Sequence, residues 1–141
     1  MRIMAVDYGD ARTGIAVSDS SATLAGEAWV IREKDALAAA RTIACEAVSR
    51  GVRTIAVGHP INMDGSVGPR AEKSGKLAGD IRGLCDVEVV LWDERLTTMS
   101  ANRILTETGR FGKKRKGTVD AVAASLILES YLGYINSNRQ T

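Results

Sequence analysis

Hydrophobic positions come first in short dense runs and only later at helical spacing. Arg2 to Asp7, Gly14 to Asp19 and Leu24 to Arg32 are strand-like stretches divided by two turn-rich separators, residues 8–13 and 20–23. The separators are too short to hold a crossover helix, so the three stretches are predicted to pair as an antiparallel meander. From Asp35 the period lengthens: Leu37, Ala40, Ala44, Ala47 and Val48 recur at helical spacing, with Asp35 as N-cap and Gly51 as stop. A fourth strand covers Arg53 to Gly58, and a loop runs from His59 to Gly68. Pro69 then opens a helix to Leu84, in which Gly75 and Gly79 are expected to allow close approach to the sheet. Strand five covers Val87 to Trp92. A helix over Thr98 to Thr108, a basic loop and a last helix from Thr118 to Leu132 complete the pattern. The polar tail from Asn136 to Thr141 is expected to fray.

The order β-β-β-α-β-α-β-α-α specifies an α/β fold. Three antiparallel strands and then two parallel ones make a five-stranded mixed sheet flanked by helices. Of the 141 residues, 1–135 read as a single domain that buries about two-thirds of its unfolded surface, and 136–141 as a flexible tail. An apolar fraction of 45% and a charged fraction of 26% fit a soluble globular protein. There is neither a signal-like segment nor an apolar stretch of membrane-spanning length, so no membrane is expected as a partner. Cys45 and Cys85 fall inside helical patterns, away from any Cys-x-x-Cys spacing. They read as small apolar residues in a reducing, cytoplasmic setting.

Two carboxylates break the apolar pattern where burial is costly unless a partner or cation compensates. Asp7 ends the run Ile3-Met4-Ala5-Val6, and Asp120 opens Val119-Asp120-Ala121-Val122-Ala123-Ala124. Glu94 follows the run from Val87 to Asp93. Helical spacing places Asp120 on the face of Ala123, Ala124, Ile127 and Tyr131, which turns toward the sheet. Three separate elements can thus bring one carboxylate each to a common point. Ionised carboxylates 4 Å apart repel by up to about 4 kcal/mol per pair at an effective dielectric near 20, a cost that a divalent cation removes. Mg²⁺ and Mn²⁺ prefer carboxylate and water oxygens, and a pair of them about 4 Å apart suits phosphodiester hydrolysis.

Each residue also has a plainer reading. Asp7 could cap the turn after it, Asp120 could complement its helix dipole, and Glu94, between Asp93 and Arg95, could be a surface ion-pair partner. Only the three carboxylates together point to a metal site. Net charge is only +2, but Arg110, Lys113, Lys114, Arg115 and Lys116 crowd one segment. That run is either a solvated loop or a contact for backbone phosphates. His59 is the sole histidine, which speaks against a catalytic triad or a His-rich zinc site. The segment from Asp7 to Gly14 lacks the Gly-Lys-Ser/Thr ending of a P-loop. Aromatic residues make up only 4%, so base stacking is a minor resource.

Four segments carry a more specific signal. They are Asp7-Tyr8-Gly9 with Gly14-Ile15-Ala16-Val17-Ser18, the stretch Val57-Gly58-His59-Pro60-Ile61-Asn62-Met63-Asp64-Gly65-Ser66, Asp93-Glu94-Arg95-Leu96-Thr97-Thr98, and Asp120-Ala121-Val122-Ala123-Ala124. In order and spacing the chain resembles the YqgF family of pre-16S rRNA nucleases, also called RuvX or Holliday-junction-resolvase-like proteins, over nearly its whole length. His59 departs from the leucine expected between glycine and proline. The resemblance implies an RNase H-like fold, with Asp7, Glu94 and Asp120 as the catalytic, metal-binding set and Mg²⁺ or Mn²⁺ as cofactor. It also implies trimming of the 5′ end of precursor 16S rRNA, with resolution of four-way DNA junctions, or ribosome assembly without cleavage, as alternatives. The expected partner is therefore nucleic acid, either structured RNA in a pre-ribosomal particle or a DNA junction. Arg95, Lys113, Lys114, Arg115 and Lys116 are expected to hold its phosphates, in a monomer or a homodimer. A nucleotide-binding domain of the sugar-kinase and actin type starts with a similar hairpin but needs two domains to hold ATP, and this chain supplies one.

Overall fold

The computed structural model describes residues 1–96 and 116–139. Its strands are β1 (Arg2–Asp7), β2 (Thr13–Ser18), β3 (Ala25–Ile31), β4 (Val52–His59) and β5 (Glu88–Asp93). Its helices are α1 (Ala36–Ser49), α2 (Pro69–Leu84) and α3 (Lys116–Arg139), and Glu94–Leu96 form a short 3-10 turn after β5. The helix expected over Thr98 to Thr108 lies outside the described residues. One mixed sheet has the order β3-β2-β1-β4-β5. Antiparallel pairing joins β1 to β2 with Asp7 opposite Gly14, and β2 to β3. Parallel pairing joins β1 to β4 and β4 to β5, with Val6 opposite Val57 and Gly58 opposite Trp92. The mixed sheet expected from the spacing is the one that forms.

Strand alternation divides the core into two layers. Met4 and Val6 of β1 join Ile15, Val17, Ile55 and Val57 beneath α1 and α2, whereas Ile3 and Ala5 join Ala16 and Ala56 beneath α3. Small side chains dominate the second face and let the long helix lie close to the sheet. Ala124, Ile127, Leu128 and Leu132 of α3 are buried there, and each fully buried Ile or Leu contributes about 1.5–3 kcal/mol of transfer free energy.

Local signals account for most boundaries. Asp35 caps α1 by accepting from Ala38 N at 3.0 Å, and Gly51 follows that helix at φ +68°, a backbone that L side chains rarely adopt. Pro69 opens α2 as expected. Gly75 and Gly79 do not mediate close packing: a Cβ at either would meet nothing within 4 Å. The sheet side of α2 is instead Ala71, Ser74, Leu77, Ala78 and Ile81. The last helix is longer than its hydrophobic pattern, beginning at Lys116 and reaching Arg139. Asn136, assigned above to a fraying tail, is helical and donates from Nδ2 to the Ala22 carbonyl at 3.0 Å.

Candidate active site

The C-terminal ends of β1, β4 and β5 lie side by side, and the site is built on their α3 side. Asp7 is the last residue of β1 and shares the strand parity of Ile3 and Ala5, which places it on the face that α3 covers. In β4, Gly58 follows Ala56 on the same face. A Cβ on Gly58 would lie 2.7 Å from Ile127 Cδ1 of α3 and 3.1 Å from the Glu94 carboxyl carbon. The missing side chain is the space that Glu94 occupies.

Glu94 opens the 3-10 turn directly after β5 and is half-buried. Its side chain hydrogen-bonds that of Asp7, so two of the three predicted acids are brought into contact. Burial pushes the Glu94 carboxyl above its ordinary value and the charge of Asp93 adds to the rise, while the nearby Arg70 guanidinium and the bond to Asp7 pull the other way. Two carboxyl groups in direct contact cannot both be ionised without a cation, so the Asp7–Glu94 pair shares a proton.

Asp120 lies in α3 beyond its first turn, which contains no acid. The helix dipole acts mainly within the first turn, so the dipole-complementing role considered above gains no support. Position 120 heads the helical row that continues through Ala124, Ile127 and Tyr131, all three buried toward the sheet. Ile127, two turns further on, is the residue that touches Gly58 beside the Glu94 carboxyl. Among the described residues no three His, Cys, Asp or Glu side chains gather to hold a cation. Asp7 and Glu94 meet, and Asp120 is placed by its backbone alone.

Of the expected phosphate-binding residues, Lys113, Lys114 and Arg115 lie outside the described residues, and Lys116 is the first residue of α3. Arg95 is already engaged. Its Nε and Nη2 donate to both carboxylate oxygens of Asp93, at 2.7–3.1 Å, and Nη1 reaches the Met63 carbonyl at 3.5 Å. The same contact holds the Asp93 carboxyl below its usual range. Met63 belongs to a tightly bonded turn in which Asn62 N donates to Ser66 O and Gly65 N donates to Asn62 O. Asp64 there accepts from Ser66 N and Ser66 Oγ. Arg95 thereby ties this turn to the strand end that carries Glu94. His59 ends β4 and acts electrostatically on Asp93.

Two residues escaped the sequence reading. A glycine inside the apolar β4 pattern was the available sign for Gly58, because such a glycine marks close approach of another group. Arg70 had no local sign, since only the fold carries the start of α2 to the end of β1.

A family model described as "RuvX: Holliday junction resolvase" matches residues 1–134. The chain belongs to the RuvX family. One RuvX relative, "Putative pre-16S rRNA nuclease" of Halothermothrix orenii, is 46% identical over 136 residues, covering 96% of this chain and 97% of its own. Another of the same name, from Ruminiclostridium cellulolyticum, is 41% identical over 142 residues and covers both chains completely. Among solved structures, "T. thermophilus RuvC in complex with Holliday junction substrate" superposes with a TM-score of 0.59 at 16% identity, covering 95% of this chain and 96% of that one. At that identity the likeness establishes the RNase H-like fold and nothing finer. No helix among the described residues is long and apolar enough to cross a membrane.

Proposed function

We propose that this RuvX chain is a metal-dependent nuclease that trims the 5′ end of precursor 16S rRNA, acting in the cytoplasm on a pre-ribosomal particle. The observation that carries the reading is the contact between the Asp7 and Glu94 carboxyls at the strand ends, on the face where the Asp120 row approaches. A relaxed surface pair of acids would separate, whereas this pair is held together by β1, β5 and the gap left by Gly58. The pair has an all-oxygen donor set and a proton where a cation could sit, which fits a hard divalent ion and no softer metal. Asp7, Glu94 and Asp120 would hold Mg²⁺ or Mn²⁺, which supplies an activated water and charge stabilisation at the phosphodiester. Asp7, fixed at a strand terminus, sets the position of the centre. The Asp7–Glu94 pair would give up its shared proton on binding a cation, and Asp120 would complete the ligation from α3.

Strand binding in this reading comes from Lys113, Lys114, Arg115 and Lys116, with Arg95 contributing its Nη1 edge, occupied here by a long 3.5 Å contact to the Met63 carbonyl. The RuvX description supports a second substrate, a four-way DNA junction, whose paired cleavage calls for a homodimer presenting two sites. Incubating the chain with a labelled precursor 16S rRNA 5′ fragment and with a DNA junction, each with Mg²⁺ or Mn²⁺, separates the two. Metal-dependent cutting of the RNA alone is the expected result. Cutting of the junction alone would transfer the assignment, and binding without cutting would favour a non-cleaving assembly factor.

A further inference from the structure

A nucleic-acid strand that approaches Asp7 and Glu94 meets the negative charge of an acidic pair, whereas Asp93 and Asp10 nearby are each ion-paired. Something must offset the repulsion on that path. Among the described residues Arg95 acts on Asp93 and Arg70 on Glu94, and the two are in different states. Arg95 is held by Asp93 in a two-pronged contact. Arg70 is exposed and makes no hydrogen bond or ion pair with a described residue, although its charge acts on the Glu94 carboxylate.

Arg70 also lines a narrow cleft with Tyr8, Gly9, Asp10 and Lys73. This cleft starts at the residue after Asp7, so it continues the site along the β1–β2 connection. Lys73 is paired with Asp10 at 3.0 Å, so among the described residues that line the cleft Arg70 is the cation without an ion pair inside it. Arg70 sits in the first turn of α2, where Gly68 is the N-cap and offers no side chain to the leading amides. Those amides add to the positive potential around the guanidinium, partly offset by Glu72 in the same turn. A planar fork with open donors beside an acidic hydrolytic centre matches a phosphate in charge and in shape.

We propose that Arg70 holds a backbone phosphate of the substrate strand in the cleft between the β1–β2 connection and the start of α2, next to the scissile position. This rests on the nucleic-acid reading above. The contact fixes the register of the strand against the Asp7–Glu94 pair and offsets the repulsion that those acids exert on it.

The test uses the full chain and a labelled RNA hairpin with a single-stranded 5′ arm, bound in Ca²⁺ over a series of salt concentrations. Arg70→Gln should lower affinity and reduce the slope of log affinity against log salt by about 0.7–0.9, the value of one phosphate contact, and Arg70→Lys should restore most of that slope. Binding of Mn²⁺ alone should be unchanged or tighter in Arg70→Gln, because a positive charge near Glu94 has been removed. An unchanged slope in a variant that still binds Mn²⁺ would overturn the assignment, as would the absence of any hairpin binding by the wild-type chain. Wild-type binding whose slope depends on Arg70, without cleavage in Mg²⁺ or Mn²⁺, would sustain the phosphate site while refuting the nuclease reading.

Discussion

Glu94 is the residue at which burial, charge and proposed chemistry meet. Its folded-state pKa lies above the ordinary value of 4.5, so between the two values the native state binds more protons than the unfolded chain. Stability is therefore lost as pH rises through that window, and the loss is complete above the raised pKa. Glu94→Gln keeps the shape and removes the titration. In the absence of divalent metal its melting temperature should exceed that of the wild type at about pH 7 and match it at about pH 4, a difference that scanning calorimetry resolves. Added Mg²⁺ should narrow the gap by stabilising the wild type alone; a variant less stable at neutral pH would contradict this account of the site. Gly58 makes a second prediction. A methyl there meets the buried Cδ1 of Ile127 and the body of Glu94, so Gly58→Ala should cost about 1 kcal/mol in urea denaturation. Adding Ile127→Val should recover that stability but not cleavage, because Glu94 remains displaced. Asp7 was legible as an exception to an apolar pattern and Glu94 as the acid that follows one, while the sign at Gly58 went unused. Arg70 was not legible, because its relation to Glu94 crosses from one crossover helix to another strand end.

Among the elements, β1 to β5 were read to within a residue or so at each end, because dense apolar runs bounded by turn residues leave few other assignments. Helix detail was harder. Gly75 and Gly79 were read as points of close approach, yet the buried positions of α2 sit at Leu77, Ala78 and Ile81, which the glycines do not share. The C-terminal extension of α3 was hidden by polar residues, and Asn136 is recruited by the carbonyl of Ala22, more than a hundred residues distant. Arg95, read as a phosphate ligand, also bridges Asp93 and the Met63 turn, a contact that its sequence neighbourhood did not show. Its exposed ion pair is worth only about 0–1 kcal/mol, so Arg95→Ala should barely change global stability. It should instead speed amide hydrogen exchange at Gly65 and Ser66 relative to the wild type. Equal exchange rates would show that the turn holds without its link to β5.

For the whole molecule, net charge alone gave no reason to expect a polyanionic partner; the placement of charge did. If Lys113, Lys114, Arg115 and Lys116 contact phosphates, replacing all four with Gln should lower the salt slope of RNA binding by up to about 0.9 per contact removed. An unchanged slope would leave that run as a solvated loop. The RuvX family and its nuclease-named relatives support hydrolysis of phosphodiesters, and the Asp7–Glu94 contact is where we propose that it occurs. The most direct measurement compares the wild-type chain with Asp7→Asn on a labelled precursor 16S rRNA 5′ fragment, with Mg²⁺ or Mn²⁺. Metal-dependent cleavage by the wild type, lost in Asp7→Asn while the variant stays folded and binds the RNA, is the result the account predicts. Cleavage that persists in Asp7→Asn would contradict it.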